Sequence, residues 1–147
     1  MEEISRVDLG ALVASIYDDL ADIGAAIDHE CEPGLIVSCK RLAIKRAVTN
    51  LIENALKYGH EAQVRAVRSA GTAIVTVEDA GPGIPEEELE TVFIPFQRGE
   101  RGVGAANSGV GLGLGLARAI TEDHGGEVSL ANRGDGGLRA ETALPIW

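Results

Sequence analysis

The sequence predicts an α+β fold, a two-layer sandwich in which helices cover one face of a mixed, mostly antiparallel sheet. Two observations favour this class. Segments with apolar residues at helical spacing are separated by short segments in which polar and apolar residues alternate. Their order along the chain is α-β-β-α-β-β-α-loop-α-β-β, with the strands in adjacent pairs. The length of 147 residues is typical of one domain, so we expect residues 1–147 to form a single unit.

The first helix and a strand pair are predicted near the N-terminus. Residues 8–22 carry apolar side chains at helical spacing, and Asp8 is placed to cap the first turn. Residues 25–28 and 35–38 are short apolar runs on either side of Pro33-Gly34, which is a turn signal. We therefore expect these two runs to pair as a β-hairpin.

Residues 40–58 form the clearest helix of the sequence, and Gly59 ends it. Apolar residues recur on one side at about 100° per residue, which predicts a face buried in the core. A second, polar face contains four side chains: Asn50, Asn54, Lys57 and Tyr58. The helix thus combines a structural face with a face suited to binding.

The rest of the chain contains further elements of both kinds. Antiparallel hairpins are predicted where alternating segments flank a turn: residues 62–68 with 72–78, and residues 127–131 with 138–144. Between them we expect a short acidic helix over residues 85–92, a polar, glycine-rich loop over residues 97–108 and a helix over residues 111–124.

Composition excludes several classes of function. With 13 Lys and Arg against 23 Asp and Glu, the formal charge of −10 opposes binding to DNA or RNA, because phosphate contacts need surplus cations. No apolar run reaches the roughly 18 residues that a membrane span needs, and the acidic N-terminus has no signal-peptide core. Two cysteines make no disulfide framework. We expect a cytoplasmic domain without nucleic-acid or direct membrane contact, whose parent protein can still be anchored in a membrane.

The polar face of the helix over residues 40–58 suits a bound phosphate. Asn50, Asn54 and Lys57 lie at positions i, i+4 and i+7. An amide oxygen is a ligand for Mg²⁺, which takes few protein ligands in addition to substrate phosphates. The lysine can meet a phosphate as a point charge, and Tyr58 offers a ring face. Spacing alone leaves open that this is an ordinary solvated helix face.

A second candidate is the segment Asp-Ala-Gly-Pro-Gly-Ile-Pro at residues 79–85. Asp79 ends a predicted strand and precedes two glycines, Gly81 and Gly83. Glycine lets the backbone approach a planar ligand closely, and the carboxylate can accept a hydrogen bond from an amino group such as that of adenine. Alone, the segment is equally compatible with a strand-ending turn.

The third candidate is a glycine-rich stretch over residues 99–115. Its segment Gly-Val-Gly-Leu-Gly-Leu at residues 109–114 runs directly into a helix, whose unpaired backbone N–H groups form an anion site. Arg98 and Arg101 can add positive charge. The stretch fits neither the Walker nor the Rossmann spacing. A flexible linker is the alternative, but the apolar pattern continues through the stretch, which argues against a linker.

Together these motifs resemble the nucleotide-binding catalytic domain of sensor histidine kinases, in the GHKL superfamily of ATPases and kinases (HATPase type). The resemblance covers about residues 8–145. Four motifs occur in the family's order: an N box at residues 50–58, a first glycine box at residues 79–85, an F box at residues 92–96 and a second glycine box at residues 109–114. The resemblance implies the family's two-layer α/β sandwich, of Bergerat type.

The resemblance also implies roles for individual residues. Asn54 would hold Mg²⁺, while Asn50, Lys57 and Arg98 would act on the phosphate side of ATP as catalytic residues. Residues 97–108 would form a lid over the nucleotide. The other nucleotide-binding residues would be Tyr58, Asp79, Gly81, Gly83, Ile84, Phe96, Arg101, Gly109, Val110, Gly111, Leu112, Gly113 and Leu114.

The implied activity is transfer of the γ-phosphoryl group of Mg-ATP to a histidine on a separate helical domain, followed by signalling to a response regulator. The phosphoacceptor helices are absent from this sequence. The segment His-Glu-Cys-Glu-Pro at residues 29–33 has some of the acceptor's residue types, but its spacing is one residue short. We therefore expect the isolated domain to be a monomer that does not phosphorylate itself.

Two alternative functions stay open. Gyrase-like and MutL-like ATPases of the superfamily carry a glutamate four residues before the metal-binding asparagine, where it activates water. This chain has Asn50 there, which favours a kinase, and Glu53, one helix step from Asn54, is expected to face elsewhere. The other alternative is a catalytically silent module that senses a nucleotide.

Overall fold

The computed structural model describes residues 2–89, 110–134 and 136–146 of the chain. This part contains seven strands, three α-helices and one 3₁₀ turn. In chain order the elements are β1 Ser5–Asp8, α1 Leu9–Ala21, β2 Ile27–Cys31, β3 Ile36–Cys39, α2 Arg41–Gly59, β4 Ala62–Ser69, β5 Thr72–Glu78, the 3₁₀ turn Glu86–Glu88, α3 Val110–Asp123, β6 Glu127–Asn132 and β7 Leu138–Pro145.

Five strands form one sheet in the order β2-β4-β5-β7-β6, and β1 pairs with β3 in a separate two-stranded sheet. In the larger sheet β2 and β4 are parallel, while β4–β5, β5–β7 and β7–β6 are antiparallel. The predicted mixed, mostly antiparallel sheet is therefore confirmed. The predicted hairpins β4–β5 and β6–β7 are confirmed with it.

The helices pack against one face of the large sheet. Alternate residues of the two central strands are buried, as expected for a sheet with one covered face: Ala62, Val64 and Ala66 of β4, and Ala73, Val75 and Val77 of β5. The predicted core face of α2 is buried with them: Ile44, Val48, Leu51, Ile52 and Ala55. Burial of one such Leu or Ile side chain contributes about 1.5–3 kcal/mol, so α2 is central to the core. None of the described helices is both long enough and apolar enough to cross a membrane.

The hairpin predicted for residues 25–28 and 35–38 is wrong. β2 lies parallel to β4 in the large sheet, whereas β3 pairs antiparallel with β1. Leu35 is fully buried, and its carbonyl oxygen accepts a hydrogen bond from Leu9 N at 2.9 Å. The chain after the turn is therefore directed to the start of α1 instead of back along β2. The sequence pattern does not predict β1, because its four residues contain one buried apolar side chain, Val7.

Part of the region around the predicted acidic helix lies outside the described residues. For residues 85–92, the structure gives one 3₁₀ turn, Glu86–Glu88, which follows Pro85. Residues 90–109, with the F box and the predicted lid, are outside the described part of the chain. The chain is described again from α3, which matches the helix predicted for residues 111–124.

Both cysteines are free, in agreement with the expectation of no disulfide framework. Burial, together with the Glu2 carboxylate, raises the pKa of the Cys39 thiol to about 11. Burial, with Asp8 as a smaller cause, also raises the pKa of Cys31. Because the thiolate is the nucleophilic form, neither cysteine is suited to covalent chemistry at neutral pH.

The β4–β5 turn contains a residue in an unfavourable conformation. Ser69 lies opposite Thr72, so Ala70 and Gly71 form a two-residue loop, and their φ angles are 49° and 79°. Such a turn favours Asn-Gly, because a left-handed conformation costs an ordinary side chain about 1 kcal/mol. We predict that Ala70→Asn raises the free energy of unfolding, measured by urea denaturation, by about 0.5–1 kcal/mol.

Ala70→Val is the matched control for this substitution. Its branched side chain is strained at positive φ, so it should lower the stability at the same position. An Ala70→Asn variant that is less stable than the parent would contradict the assigned turn.

Candidate functional site

The polar face of α2 lines a cavity of about 190 Å³. The lining contains Gly113 and Leu114 of α3 in addition to five residues of α2: Asn50, Glu53, Asn54, Lys57 and Tyr58. The packing of α3 on α2 thus brings together the N box and part of the second glycine box, which are far apart in the sequence.

Glu53 does not face away from this polar set, and the expectation that it would is wrong. It lines the cavity and is exposed to solvent. Positions i, i+3, i+4 and i+7 share one face of an α-helix, so Glu53 lies in the same stripe as Asn50, Asn54 and Lys57. The cavity therefore has a carboxylate at its edge as well as two amides and an amine.

α3 forms the opposite wall of the cavity. Leu114 is fully buried, which fixes this helix in the core. Among the described residues, no atom lies within 4 Å of the position that a Cβ on Gly113 would take, so its absent side chain leaves space on this side of the cavity. The backbone of residues 110–112 forms the first turn of α3, and their side chains are not described. Four further predicted site residues lie outside the described part of the chain: Phe96, Arg98, Arg101 and Gly109.

Tyr58 lies where the cavity meets the C-terminal end of α2. Its side chain is half-buried, and Lys57 Nζ lies 5.5 Å from the ring centroid, within the range of a cation–π contact. Gly59 is the last residue of the helix. His60 follows in the left-handed conformation, with φ 64°, and its backbone N–H donates to the Leu56 carbonyl oxygen.

Asp79 is a buried carboxylate at the end of β5, with 3% of its surface exposed. Its Oδ1 accepts hydrogen bonds from the backbone N–H groups of Gly81 at 2.9 Å and Leu138 at 3.3 Å. Its own backbone N–H donates to the Leu138 carbonyl oxygen at 3.0 Å. An ionised carboxylate has about four acceptor sites, so one held in this way is able to accept from a ligand as well.

Glycines allow α2 and the β6–β7 turn to approach Asp79 closely. A Cβ on Gly59 would collide with the Asp79 side chain, and a Cβ on Gly137 would collide with the Asp79 carbonyl oxygen. A Cβ on Gly81 would lie 2.5 Å from the carbonyl oxygen of Tyr58. The end of α2 therefore packs directly against the carboxylate that was expected to receive a base.

Two residues that the sequence does not indicate support this end of the site. The Asn132 side chain pairs with the backbone of Ile84: Oδ1 accepts from the N–H at 2.8 Å, and Nδ2 donates to the carbonyl oxygen at 2.5 Å. Arg133 Nη1 donates to the Asp79 carbonyl oxygen at 2.8 Å. Polar residues at strand ends are common, so no local signal distinguishes these two.

The three histidines do not line this cavity. His29 lies in β2, 5.0 Å from the ring of Tyr17, and not on a long helix as a phosphoacceptor would. His124 Nε2 accepts a hydrogen bond from Lys40 N at 3.1 Å, so this ring links the end of α3 to the start of α2. These contacts, and the position of His60 at the end of α2, support structural roles for all three histidines.

The site thus has two chemically different ends. The cavity presents amides, a carboxylate and an amine, which suit a hard cation and phosphate oxygens. The other end presents the Asp79 carboxylate on the same loop as the buried Ile84, which is 2% exposed. A planar apolar ring with an amino group matches this combination.

Comparisons with known proteins show which family has this fold. The family model described as histidine kinase-, DNA gyrase B- and HSP90-like ATPase matches residues 39–147. The sensor histidine kinase GtrS of Pseudomonas aeruginosa is 44% identical in an alignment that covers 98% of this chain and 29% of GtrS. The chain therefore spans less than a third of the length of this curated relative.

Two solved structures share the architecture. The catalytic domain of the histidine kinase ThkA is 28% identical with a TM-score of 0.82, and 98% of this chain and 97% of that domain are covered. The ATP-binding domain of PrrB from Mycobacterium tuberculosis is 30% identical with a TM-score of 0.77, and 99% of each chain is covered. The predicted resemblance and fold class are confirmed: the chain belongs to the family of histidine kinase-, DNA gyrase B- and HSP90-like ATPases.

Proposed function

We propose that the chain is the ATP-binding catalytic domain of a sensor histidine kinase, which transfers the γ-phosphoryl group of ATP to a histidine on a separate helical domain. The observation that carries this proposal is the close approach of the buried Asp79 carboxylate to Gly59 at the end of α2. Because Gly59 directly follows Tyr58, a carboxylate that can accept a hydrogen bond from an amino-bearing base lies next to a cavity lined by amides and a lysine. GtrS and PrrB are both described as histidine kinases.

The base end of the site would bind adenine through Asp79. The N–H groups of Gly81 and Leu138 hold its Oδ1, so the carboxylate is oriented before a ligand arrives. A fixed acceptor loses less conformational freedom on binding than a mobile one. Ile84 would supply the apolar surface for the ring, and Tyr58 would lie between the base and the phosphates.

Mg²⁺ suits the donor set at the phosphate end. It prefers oxygen ligands and keeps few protein ligands beside substrate phosphates. The cavity offers the Asn54 amide oxygen, with the Glu53 carboxylate at the adjacent position. We assign Asn54 as the protein ligand, as the family resemblance implies. When bound, the ion offsets the negative charge of the phosphates.

Phosphoryl transfer needs positioning and electrostatic stabilisation more than covalent chemistry from the protein. Lys57 places a positive charge at the cavity, and the Asn50 amide can donate a hydrogen bond to a phosphate oxygen. The backbone N–H groups at the start of α3 would face the phosphates. Arg98 and the proposed lid at residues 97–108 would add charge and exclude water.

The partners follow from the same proposal. ThkA has been solved in complex with the response regulator protein TrrA. We propose that this chain likewise acts with a phosphoacceptor helical domain, which supplies the imidazole nucleophile, and with a response regulator. We further propose that the domain works in the cytoplasm, as a monomer, and does not label its own histidines.

Kinase chemistry is favoured over ATP hydrolysis by the residue one turn before Asn54. The related ATPases need a carboxylate there to activate water, and the Asn50 amide cannot take up a proton. Glu53 supplies a carboxylate at the cavity, but from the position adjacent to Asn54. Transfer of a labelled γ-phosphoryl group from ATP to a separately supplied histidine domain would also distinguish a kinase from a silent nucleotide sensor.

Base recognition by Asp79 is testable by substitution. Asp79→Asn replaces a charged acceptor with an amide, and hydrogen bonds to charged groups contribute about 1.5–3 kcal/mol. We expect the Kd for ATP, measured by isothermal titration calorimetry, to rise about 10- to 100-fold. Asp28→Asn is the matched control, because it removes an exposed carboxylate of β2 that does not line the cavity. Equal ATP affinity in Asp79→Asn and the parent would contradict the assignment.

Asn54→Ala should weaken ATP binding only when Mg²⁺ is present, because the amide oxygen is assigned to the ion and not to the nucleotide. Titrations in Mg²⁺ and in EDTA separate the two contributions. We expect Kd to rise about tenfold in Mg²⁺ and to change by less than about twofold in EDTA. A loss of the same size in both solutions would show instead that Asn54 contacts the nucleotide directly.

A further inference from the structure

We infer that Asn132 and Arg133, where β6 leads into the β6–β7 turn, are positioning residues that set the selectivity of the site for adenine. The inference rests on the proposed function, because it takes Asp79 as the acceptor for the adenine amino group. The two side chains do not line the cavity between α2 and α3. They act through the backbone of Ile84 and Asp79, the residues assigned to the base.

Asn132 fixes the loop that follows Asp79. Its amide makes two hydrogen bonds to one residue, accepting from the Ile84 N–H at 2.8 Å and donating to the Ile84 carbonyl oxygen at 2.5 Å. This exchange of donor and acceptor is the one that an adjacent antiparallel strand would make. The Asn132 side chain therefore connects β6, a strand of the large sheet, to the loop that contains Ile84 by hydrogen bonds of the kind found between strands.

Gly83, in the same loop, leaves the room that the Asn132 side chain needs. Gly83 has φ 77°, and a Cβ there would lie 2.5 Å from Asn132 Oδ1. Any side chain at this position would displace the amide and break its bonds to Ile84. The requirement for glycine at position 83 therefore has two explanations. A side chain there would collide with Asn132, and it would also reduce the room for a ligand.

Arg133 fixes Asp79 at its backbone. Its Nη1 donates to the Asp79 carbonyl oxygen at 2.8 Å, and its Nε lies 3.6 Å from Glu78 Oε2. The Arg133 and Glu78 side chains are 22% and 13% exposed, so the pair is partly shielded from solvent. With Gly81 and Leu138 bound to the carboxylate, Asp79 is held at both its side chain and its carbonyl group.

Adenine and guanine differ at the atom that Asp79 would contact. Adenine carries an amino donor there, and guanine carries a carbonyl acceptor. A fixed carboxylate favours the donor and repels the acceptor, whereas a carboxylate that can move away loses both effects. Loosening this loop should therefore reduce the preference for ATP over GTP, while the contribution of the phosphates, bound by α2 and α3, is retained.

Arg139 provides a matched control for Arg133. It lies opposite Glu78 in the β5–β7 pair, and its Nε is 3.0 Å from the same Glu78 Oε2. Arg139→Ala thus removes the same charge and a contact with the same carboxylate. The hydrogen bond to the Asp79 carbonyl oxygen belongs to Arg133 and is left in place.

The experiment is a measurement of Kd for ATP and for GTP, in Mg²⁺, with the thermal unfolding of each protein. The proteins are the parent chain, Asn132→Ala, Arg133→Ala and Arg139→Ala. We expect the ratio of Kd for GTP to Kd for ATP to fall about tenfold in Asn132→Ala and Arg133→Ala, through weaker ATP binding. The ratio should be unchanged in Arg139→Ala. A loss of global stability alone would leave the ratio of Kd for GTP to Kd for ATP unchanged in the molecules that remain folded.

The outcomes separate this inference from the proposed function. A parent-like ratio in folded Asn132→Ala and Arg133→Ala would overturn the inference and leave the proposed function intact. A parent chain that binds ATP no more tightly than GTP would overturn the inference and the assignment of Asp79 to the base, whereas a parent chain that does not bind ATP would overturn the proposed function itself. If Asn132→Ala does not fold, Asn132→Asp takes its place, because it keeps the Oδ1 acceptor and loses the donor to Ile84. The same fall in the ratio is then expected, and a parent-like ratio is again the overturning result.

Discussion

The buried carboxylate of Asp79 is the group around which the rest of the site is organised. A charged side chain with 3% of its residue surface exposed is costly unless hydrogen bonds replace the lost water. Backbone N–H groups of Gly81 and Leu138 supply those bonds, so the loop after β5 and the start of β7 must both reach one side chain. Arg133 then holds the carbonyl group of the same residue. The geometry of the base end is thereby fixed by segments that are distant in the sequence.

The same carboxylate lies in close contact with the end of α2. Gly59 lacks the Cβ that would strike Asp79, so the helix packs directly against it. Along the rest of α2, one face is buried in the core and the other lines the cavity. Because one rigid element serves both purposes, the distance between the cavity and the carboxylate is set by core packing and not by a loop. This is the arrangement expected of a site that must hold the base and the phosphates of one nucleotide at a fixed separation.

Features with a local pattern could be predicted from the sequence, and features set by long-range packing could not. Periodicity in the sequence correctly predicts α2 and the hairpins β4–β5 and β6–β7. In contrast, β2 pairs with β4 and β3 pairs with β1, and these partners are selected by tertiary packing. Glu53 lines the cavity, contrary to the expectation from the sequence, because the polar stripe of α2 is wider than its two asparagines and lysine suggest. Asn132 and Arg133 act on residues 48 and 54 positions away, which no helix- or strand-length pattern connects.

A crystal structure of the chain with Mg²⁺ and a non-hydrolysable ATP analogue would test the proposed site most directly. We expect the adenine amino nitrogen to lie about 3 Å from an Asp79 carboxylate oxygen. The phosphates should then lie at the cavity lined by Asn50, Asn54 and Lys57. A nucleotide bound elsewhere, for example in the cavity of about 500 Å³ beside Lys40 and His124, would contradict the assignment of both ends of the site.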